Sequence, residues 1–424
     1  MANQLINISR REAFSKGLSA TLSSAHANWP QWMPRIAMAG PKKAPKGDTL
    51  VVIFLRGGAD GLSIIVPHGE PNYYKARPTI AMARPDDKKA DKNLKALELD
   101  GFFGASPFMA PLMPFFKNHQ MLAVHATGST NPTRSHFEAM DFMERGEPDG
   151  HALGTGWIGR HLASLDTGST AFLRGIGWGD QVQQALRGTV NATALRSIVD
   201  YHLGGDANTA NQMLNALNSL YNLDQGALQQ SAAETKQVVD LLKKVNVASY
   251  KPAGGVKYDP NSDLDMALMQ TAALIKADVG LEVSAIDVGG WDMHISLMPS
   301  MAGTLTKLAK GLANFGNDMA ASMQMQKLTV VVMSEFGRRV GENADRGLDH
   351  GHGNAMLIMG GNVAPRAVIT KWPGLKDPKL DSGDLAITID YRDVLSEILT
   401  KRLNNDQIDT IFPGYKPTMH GIVK

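Results

Sequence analysis

Four strand-length, largely apolar runs, at Thr49–Leu55 and at residues 121–126, 281–288 and 328–333, constrain this chain more than any other feature. They are rich in Val, Ile and Leu and lack regular polar alternation, which marks strands buried on both faces. Between and after them the apolar spacing changes to every third or fourth residue. That spacing predicts helices over residues 106–117, 135–145, 208–221, 229–245, 262–277, 300–325 and 391–403, the last capped by Asp390. Residues 63–66 and 355–359 read as further short strands. Strands separated by helices predict an α/β fold with a mostly parallel central sheet flanked by helices. The stretch from about 195 to 278 reads as a helical insertion or as one flank of the sheet.

Composition removes several functions. Lys and Arg number 43 against 41 Asp and Glu, so no basic surplus points to nucleic acid. The chain has no cysteine, which excludes disulfides, thiolate metal sites and cysteine nucleophiles. No apolar run reaches the length of a transmembrane helix. Near the start, Ser9-Arg10-Arg11-Glu12-Ala13-Phe14 resembles a twin-arginine export signal, with Ala37-Met38-Ala39 as a cleavage site. Export to the periplasm is therefore expected. Residues 1–47 then form the signal and linker, and residues 48–424 one α/β domain. Gly154, Gly156 and Gly159 match a dinucleotide-binding spacing, but no strand precedes them, so they read as loop and helix-start glycines.

Each apolar run ends in a glycine-containing turn, and chemistry-bearing side chains follow: Asp60; Ser135 and His136; Asp292 and His294; Glu335. In a parallel sheet these turns share the carboxyl edge, where ligands bind. His350 and His352 can fold back to the same edge. Asp60, Asp292, His294, Glu335, His350 and His352 supply oxygen and nitrogen ligands for a divalent ion: Zn²⁺, Mn²⁺, Mg²⁺ or Ca²⁺. Ser135 starts a helix, where amides and the helix dipole favour an alkoxide, so it is the candidate nucleophile, with His136 beside it. It is equally a plain helix cap. Arg56, Arg134 and Arg338 stand near these clusters as candidate oxyanion clamps.

Leu55-Arg56-Gly57-Gly58-Ala59-Asp60-Gly61, Arg134-Ser135-His136-Phe137, Gly156-Trp157-Ile158-Gly159-Arg160, Gly289-Gly290-Trp291-Asp292, Ser334-Glu335-Phe336-Gly337-Arg338 and Asp349-His350-Gly351-His352 together resemble a bacterial exported family. It is the domain-of-unknown-function family numbered fifteen hundred and one, usually placed near sulfatases in the alkaline phosphatase superfamily. The resemblance implies a parallel-sheet core, two metals and a Ser, Thr or formylglycine nucleophile. By position Asp60 resembles the first metal-binding Asp, and Ser135 the nucleophile. Asp292 and His294 resemble ligands of the first metal, and His350 or His352 the final His. Glu335 falls at the Asp of an Asp-His-Gly turn, and Phe336 at its His. Either His136 substitutes for that missing ligand, or a harder ion sits there, or the position is empty. The implied activity is metal-dependent hydrolysis of an anionic phosphate or sulfate ester. The other reading is a catalytically decayed envelope protein that holds a metal or ligand.

Overall fold

The structure is a computed structural model that describes residues 41–149, 153–168, 173–188, 192–198, 245 and 247–424. The expected helices at 208–221 and 229–245 fall almost wholly outside these residues, as does the export signal. The main strands are β1 (Thr49–Leu55), β2 (Met121–Gly128), β3 (Gly175–Trp178), β4 (Ala192–Leu195), β5 (Val283–Val288), β6 (Leu328–Ser334), β7 (Asn354–Gly360), β8 (Val368–Ile369) and β9 (Ile389–Asp390). The main helices are α1 (His136–Arg145), α2 (Trp157–Ser164), α3 (Asp263–Lys276), α4 (Leu297–Ala321) and α5 (Tyr391–Lys401).

All nine strands join one sheet in the order β8-β2-β7-β6-β1-β5-β3-β4, with β9 also on β2. The fold is α/β with a mostly parallel sheet flanked by helices. β7 alone is reversed, antiparallel to both β6 and β2. That reversal matters for the site. Residues entering β7 lie at the same edge as residues leaving β1, β5 and β6. The ends are level there: Leu55 pairs with Val288 on one side and Ser334 on the other.

Side chains alternate between the two faces, and both faces are covered. Val51, Ile53, Val330 and Val332 share a core with Leu268 of α3 and Leu305, Leu308, Leu312 and Phe315 of α4. Leu50, Val52, Phe54 and Val331 pack instead with Trp157 and Leu162 of α2 and Val394, Leu395 and Ile398 of α5. Each such fully buried side chain contributes about 1.5–3 kcal/mol of transfer free energy. This burial on both faces is why the strands carry no polar alternation.

Two expected elements differ. Residues 106–117 do not form one helix: a 3₁₀ segment, Pro107–Leu112, precedes an α-turn, Met113–Lys117. Pro111 and Pro114 lack the N–H that a continuous ladder needs. Residues 63–66 begin as a helical turn because the Asp60 carbonyl accepts the Ser63 and Ile64 amides. Only Ile65–Val66 is strand. Asp390 caps α5 as expected, its side chain accepting from the Arg392 amide at 2.8 Å.

Candidate metal centre

Three imidazoles and one carboxylate converge at the carboxyl edge of the sheet. His136 opens α1, Asp292 and His294 follow β5, and His350 precedes β7. His350 Nε2 lies 3.0 Å from His136 Nε2 and 2.9 Å from His294 Nε2. Asp292 Oδ1 is 3.0 Å from His294 Nε2 and 3.4 Å from both His136 Nε2 and His350 Nε2. His136, Asp292 and His350 form a group able to hold a metal ion.

The outward nitrogens decide what faces inward. His136 Nδ1 meets Glu335 Oε1 at 2.7 Å. His294 Nδ1 meets Asp349 Oδ1 at 3.0 Å. His350 Nδ1 meets the Arg134 carbonyl at 2.8 Å. A carbonyl or ionised carboxylate only accepts, so each Nδ1 carries the proton. In the neutral imidazoles each Nε2 then presents a lone pair to the centre. Lone pairs about 3 Å apart beside a carboxylate oxygen repel unless positive charge lies between them. A single proton bridges only one such pair, whereas one cation serves His136 Nε2, His350 Nε2 and Asp292 Oδ1 together; His294 Nε2, which also faces an Arg338 N–H at 3.4 Å, stands beside that group. Ligands about 2.0 Å from a tetrahedral ion stand about 3.3 Å apart, and the 3.0, 3.4 and 3.4 Å separations among His136, Asp292 and His350 fit three corners of one. Outward acceptors that fix the tautomer are the usual supports of metal-bound histidine.

The surrounding electrostatics follow from these contacts. Burial pushes the Asp292 carboxyl up, but the Arg338 hydrogen bond and charge, with His136 and His294, outweigh it and hold it at about 2. The Glu335 hydrogen bond raises His136. Burial lowers His350. Burial acts to raise Glu335, yet His136 and the surrounding donors bring it below the usual range. Ser334 Oγ and the Gly57 amide are among those donors, at 2.9 and 2.8 Å.

The expected residues divide into groups. Asp292, His294 and His350 come together, and His136, expected beside the nucleophile, joins them. Glu335 stands behind His136 rather than in the donor set. Its oxygens are taken by His136, Ser334 and Gly57. Phe336 packs against His136, ring centres 4.7 Å apart and the planes tilted by 31°. His136 is the imidazole that stands against Phe336 in the cluster.

Asp60 is not brought to the cluster. Both its oxygens take the guanidinium of buried Arg77, at 2.5 and 2.9 Å. His352 is also turned away, with Nδ1 on Asp381 at 2.6 Å and Nε2 on the Ser129 carbonyl at 3.0 Å. Arg338 is no free clamp. Its donors are spent on the Gly57, Gly58 and Leu348 carbonyls and on Asp292. Arg56 holds Glu144 and Asp287. Arg134 keeps an exposed guanidinium, anchored on buried Asp384. Ser135 caps α1, but its hydroxyl accepts the Glu138 amide only at a long 3.5 Å. The reading from sequence missed Arg77, Asp349 as the support of His294, and Asn343, which donates to Asp349 at 3.2 Å. Asp349 sits beside His350 in the sequence, and that adjacency was its available signal.

The family model described as protein of unknown function, DUF1501, matches residues 48–408. The chain belongs to this family. No curated protein matches the chain. Among solved structures, this DUF1501 member is similar to the zinc complex of the C-terminal periplasmic domain of EcEptC from Escherichia coli. The TM-score is 0.40 at 9% identity, over 92% of this chain and 94% of that one. A protein in the alkaline phosphatase superfamily from Vibrio parahaemolyticus matches with a TM-score of 0.35 and 10% identity, over 82% and 70% of the two chains. The lipoteichoic acid synthase LtaP from Listeria monocytogenes matches with a TM-score of 0.32 and 10% identity, over 81% and 75%. Among the described residues no helix is long and apolar enough to cross a membrane.

Proposed function

We propose that this protein is an exported, divalent-metal-dependent hydrolase of phosphate or sulfate esters. The observation that carries the reading is the convergence of three imidazole nitrogens, each freed by its own outward acceptor, on one carboxylate oxygen. His136, Asp292, His294 and His350 would hold the ion. Three nitrogens in four donors suit Zn²⁺ or Mn²⁺ better than Mg²⁺ or Ca²⁺, which prefer all-oxygen sets. When bound, such an ion polarises a phosphoryl or sulfuryl oxygen and offsets the charge that develops on it.

The chain supplies the rest. Arg338 fixes Asp292 and keeps it ionised, and Glu335 and Asp349 hold two rings in register. Asp292 and His294 reach solvent, so an ester can approach from that side. Ser135, one residue from His136, is the nucleophile in this reading. Its long cap contact leaves the hydroxyl easy to turn. The exposed Arg134 guanidinium is the group placed to meet the anionic part of the ester.

The test is metal content together with turnover. Protein purified without chelators is expected to hold about one divalent ion per chain and to hydrolyse p-nitrophenyl phosphate or p-nitrophenyl sulfate. His350→Ala is expected to lose both ion and turnover. Wild type that takes up neither Zn²⁺ nor Mn²⁺ would overturn the reading. Export is tested by Arg10→Lys with Arg11→Lys, which is expected to leave the protein in the cytoplasm.

A second reading, a metal-holding envelope protein without turnover, is favoured by one observation. The remaining expected ligands, Asp60, Glu335 and His352, are engaged by Arg77, His136 and Asp381, and the described residues give one metal-capable group. Metal without ester hydrolysis would select it.

A further inference from the structure

A cavity of about 440 Å³ opens at the amino edge of the sheet, where β2 and β8 begin side by side. That volume lies in the range of small-molecule sites. β2 runs eight residues from this edge toward the metal centre, about 25 Å, so the two places are separate. Met113 and Phe116 of the short helix Met113–Lys117, with Val368 of β8, give the cavity an apolar wall. Three basic side chains also line it: Lys117, His119 and Arg366. They reach it from the end of that helix, from the turn after it and from the loop that enters β8.

Among the described residues these three side chains make no hydrogen bond or ion pair. The helix end does not need them, because the Asn118, Gln120 and His119 amides take the Pro114, Phe115 and Phe116 carbonyls. The two acids of the lining are engaged elsewhere. Glu98 Oε1 accepts the Gly101 amide at 2.6 Å, and its Oε2 lies 3.2 Å from His68 Nε2. Asp100 Oδ1 accepts the Phe102 and Phe103 amides at 3.1 and 2.7 Å. His119 adds an independent sign. It stands just past the helix end in the left-handed region, with φ 53°. The paired amide bonds of that ending are both present, His119 to Phe116 at 3.2 Å and Gln120 to Phe115 at 2.8 Å. Glycine, or sometimes asparagine, is the usual residue there, because a β-carbon is strained. An imidazole is thus held on the cavity at a conformational cost.

We propose that this cavity is a second ligand site, for a small organic anion: a carboxylate or phosphate head on Lys117, His119 and Arg366, and an apolar body on Met113, Phe116 and Val368. Uncommitted donors converging from three segments beside an apolar wall are what recognition of such a molecule requires. The site stands apart from the metal centre and does not depend on the ester-hydrolase reading.

The experiment is calorimetry on the full protein as purified. 3-Phenylpropionate and phenylphosphonate carry both features, 3-phenylpropanamide the body without the charge, and acetate the charge without the body. Each two-feature probe is expected to bind at least about tenfold tighter than either single-feature probe, the range that hydrogen bonds to a charged group give. Lys117→Gln with Arg366→Gln is expected to remove that advantage. All three basic side chains are exposed, so the variants are expected to fold. His119→Gly is expected to weaken binding while its melting temperature stays at or above that of wild type, since glycine suits the left-handed position. His350→Ala, which disturbs the metal centre, is expected to bind the probes as wild type does. Wild type that shows no preference for the two-feature probes would overturn the proposal. So would full affinity in the Lys117 and Arg366 double variant or in His119→Gly. Binding lost in His350→Ala would overturn it by placing the anion at the metal centre.

Discussion

Glu335 Oε1 accepts the Nδ1 hydrogen of His136 at 2.7 Å, and this contact turns an imidazole on one helix toward two others brought by different loops. Glu335 leaves β6 and His136 begins α1, which follows β2, so the pair joins the ends of two strands that flank β7. Glu335→Gln keeps an acceptor in place but removes the charge that raises His136. Metal affinity is expected to fall about 10- to 100-fold, the usual loss for an outer-shell partner. Competition with a fluorescent chelator measures it. An unchanged affinity would remove Glu335 from the support of the site.

Asp60 offers a second separation of roles. Its carboxylate is paired with Arg77 inside the protein, both residues almost fully buried. Arg77→Met leaves a buried charge without its partner, and a loss of about 3–5 kcal/mol is expected in urea unfolding. Metal content per folded chain is expected to stay at the wild-type value. Asp60→Asn should likewise keep the ion. Loss of metal at unchanged stability in that variant would return Asp60 to the donor set.

Much of this was legible along the chain, and the illegible parts share a cause. β1, β5 and β6 are continuous apolar segments, and the polar residues after them had to share one edge if the strands were parallel. Asp292 and His294 were placed at the edge that way, and His350 by folding back to it. The engagement of Asp60 and His352 was not legible. Arg77 lies in a loop whose return to Asp60 leaves no local pattern. Asp381 comes from a segment after β8 that meets His352 only through tertiary packing. The reversal of β7 was also unmarked, since a buried strand carries no direction in its composition. Yet it is this reversal that lets His350 enter from the site side.

Acid sensitivity is expected from two histidines remote from the centre. His125 donates from Nε2 to the Ile65 carbonyl at 3.0 Å and accepts the Ala126 amide on Nδ1, so burial holds it neutral, with its pKa at about 4. Burial and then the Arg174 charge lower His161 to about 3. Both folded values lie below the unfolded value near 6.5, so the unfolded chain binds more protons as pH falls. Stability is therefore full above about pH 6.5 and declines below it. Each histidine loses about 1.4 kcal/mol per pH unit until its folded pKa is reached. Between pH 6.5 and 4.5 the pair costs on the order of 5 kcal/mol. Urea midpoints at pH 7 and 4.5 test this, and His161→Gln should flatten the decline. A midpoint that rises on acidification would contradict the assignment.

Ser135 carries the sharpest mechanistic test because its two roles predict different losses. As the cap of α1 it accepts one amide at 3.5 Å, and Ser135→Ala should cost about 1 kcal/mol of stability or less. As the nucleophile its loss should lower kcat by several orders of magnitude, since the neighbouring hydroxyl, Thr133 Oγ1, is held by Glu138 and the Ser135 amide. Metal content should not change in either case, because the proposed donors are His136, Asp292, His294 and His350. Ser135→Gly separates the roles further, as glycine restores most of the capping preference but none of the nucleophilicity. The expected outcome is that Ala and Gly variants both keep their ion and both lose turnover, while only Ala lowers the melting temperature measurably. A variant that keeps wild-type kcat with its ion in place would leave Ser135 as a cap alone. Turnover would then have to come from another nucleophile at the open side of Asp292 and His294.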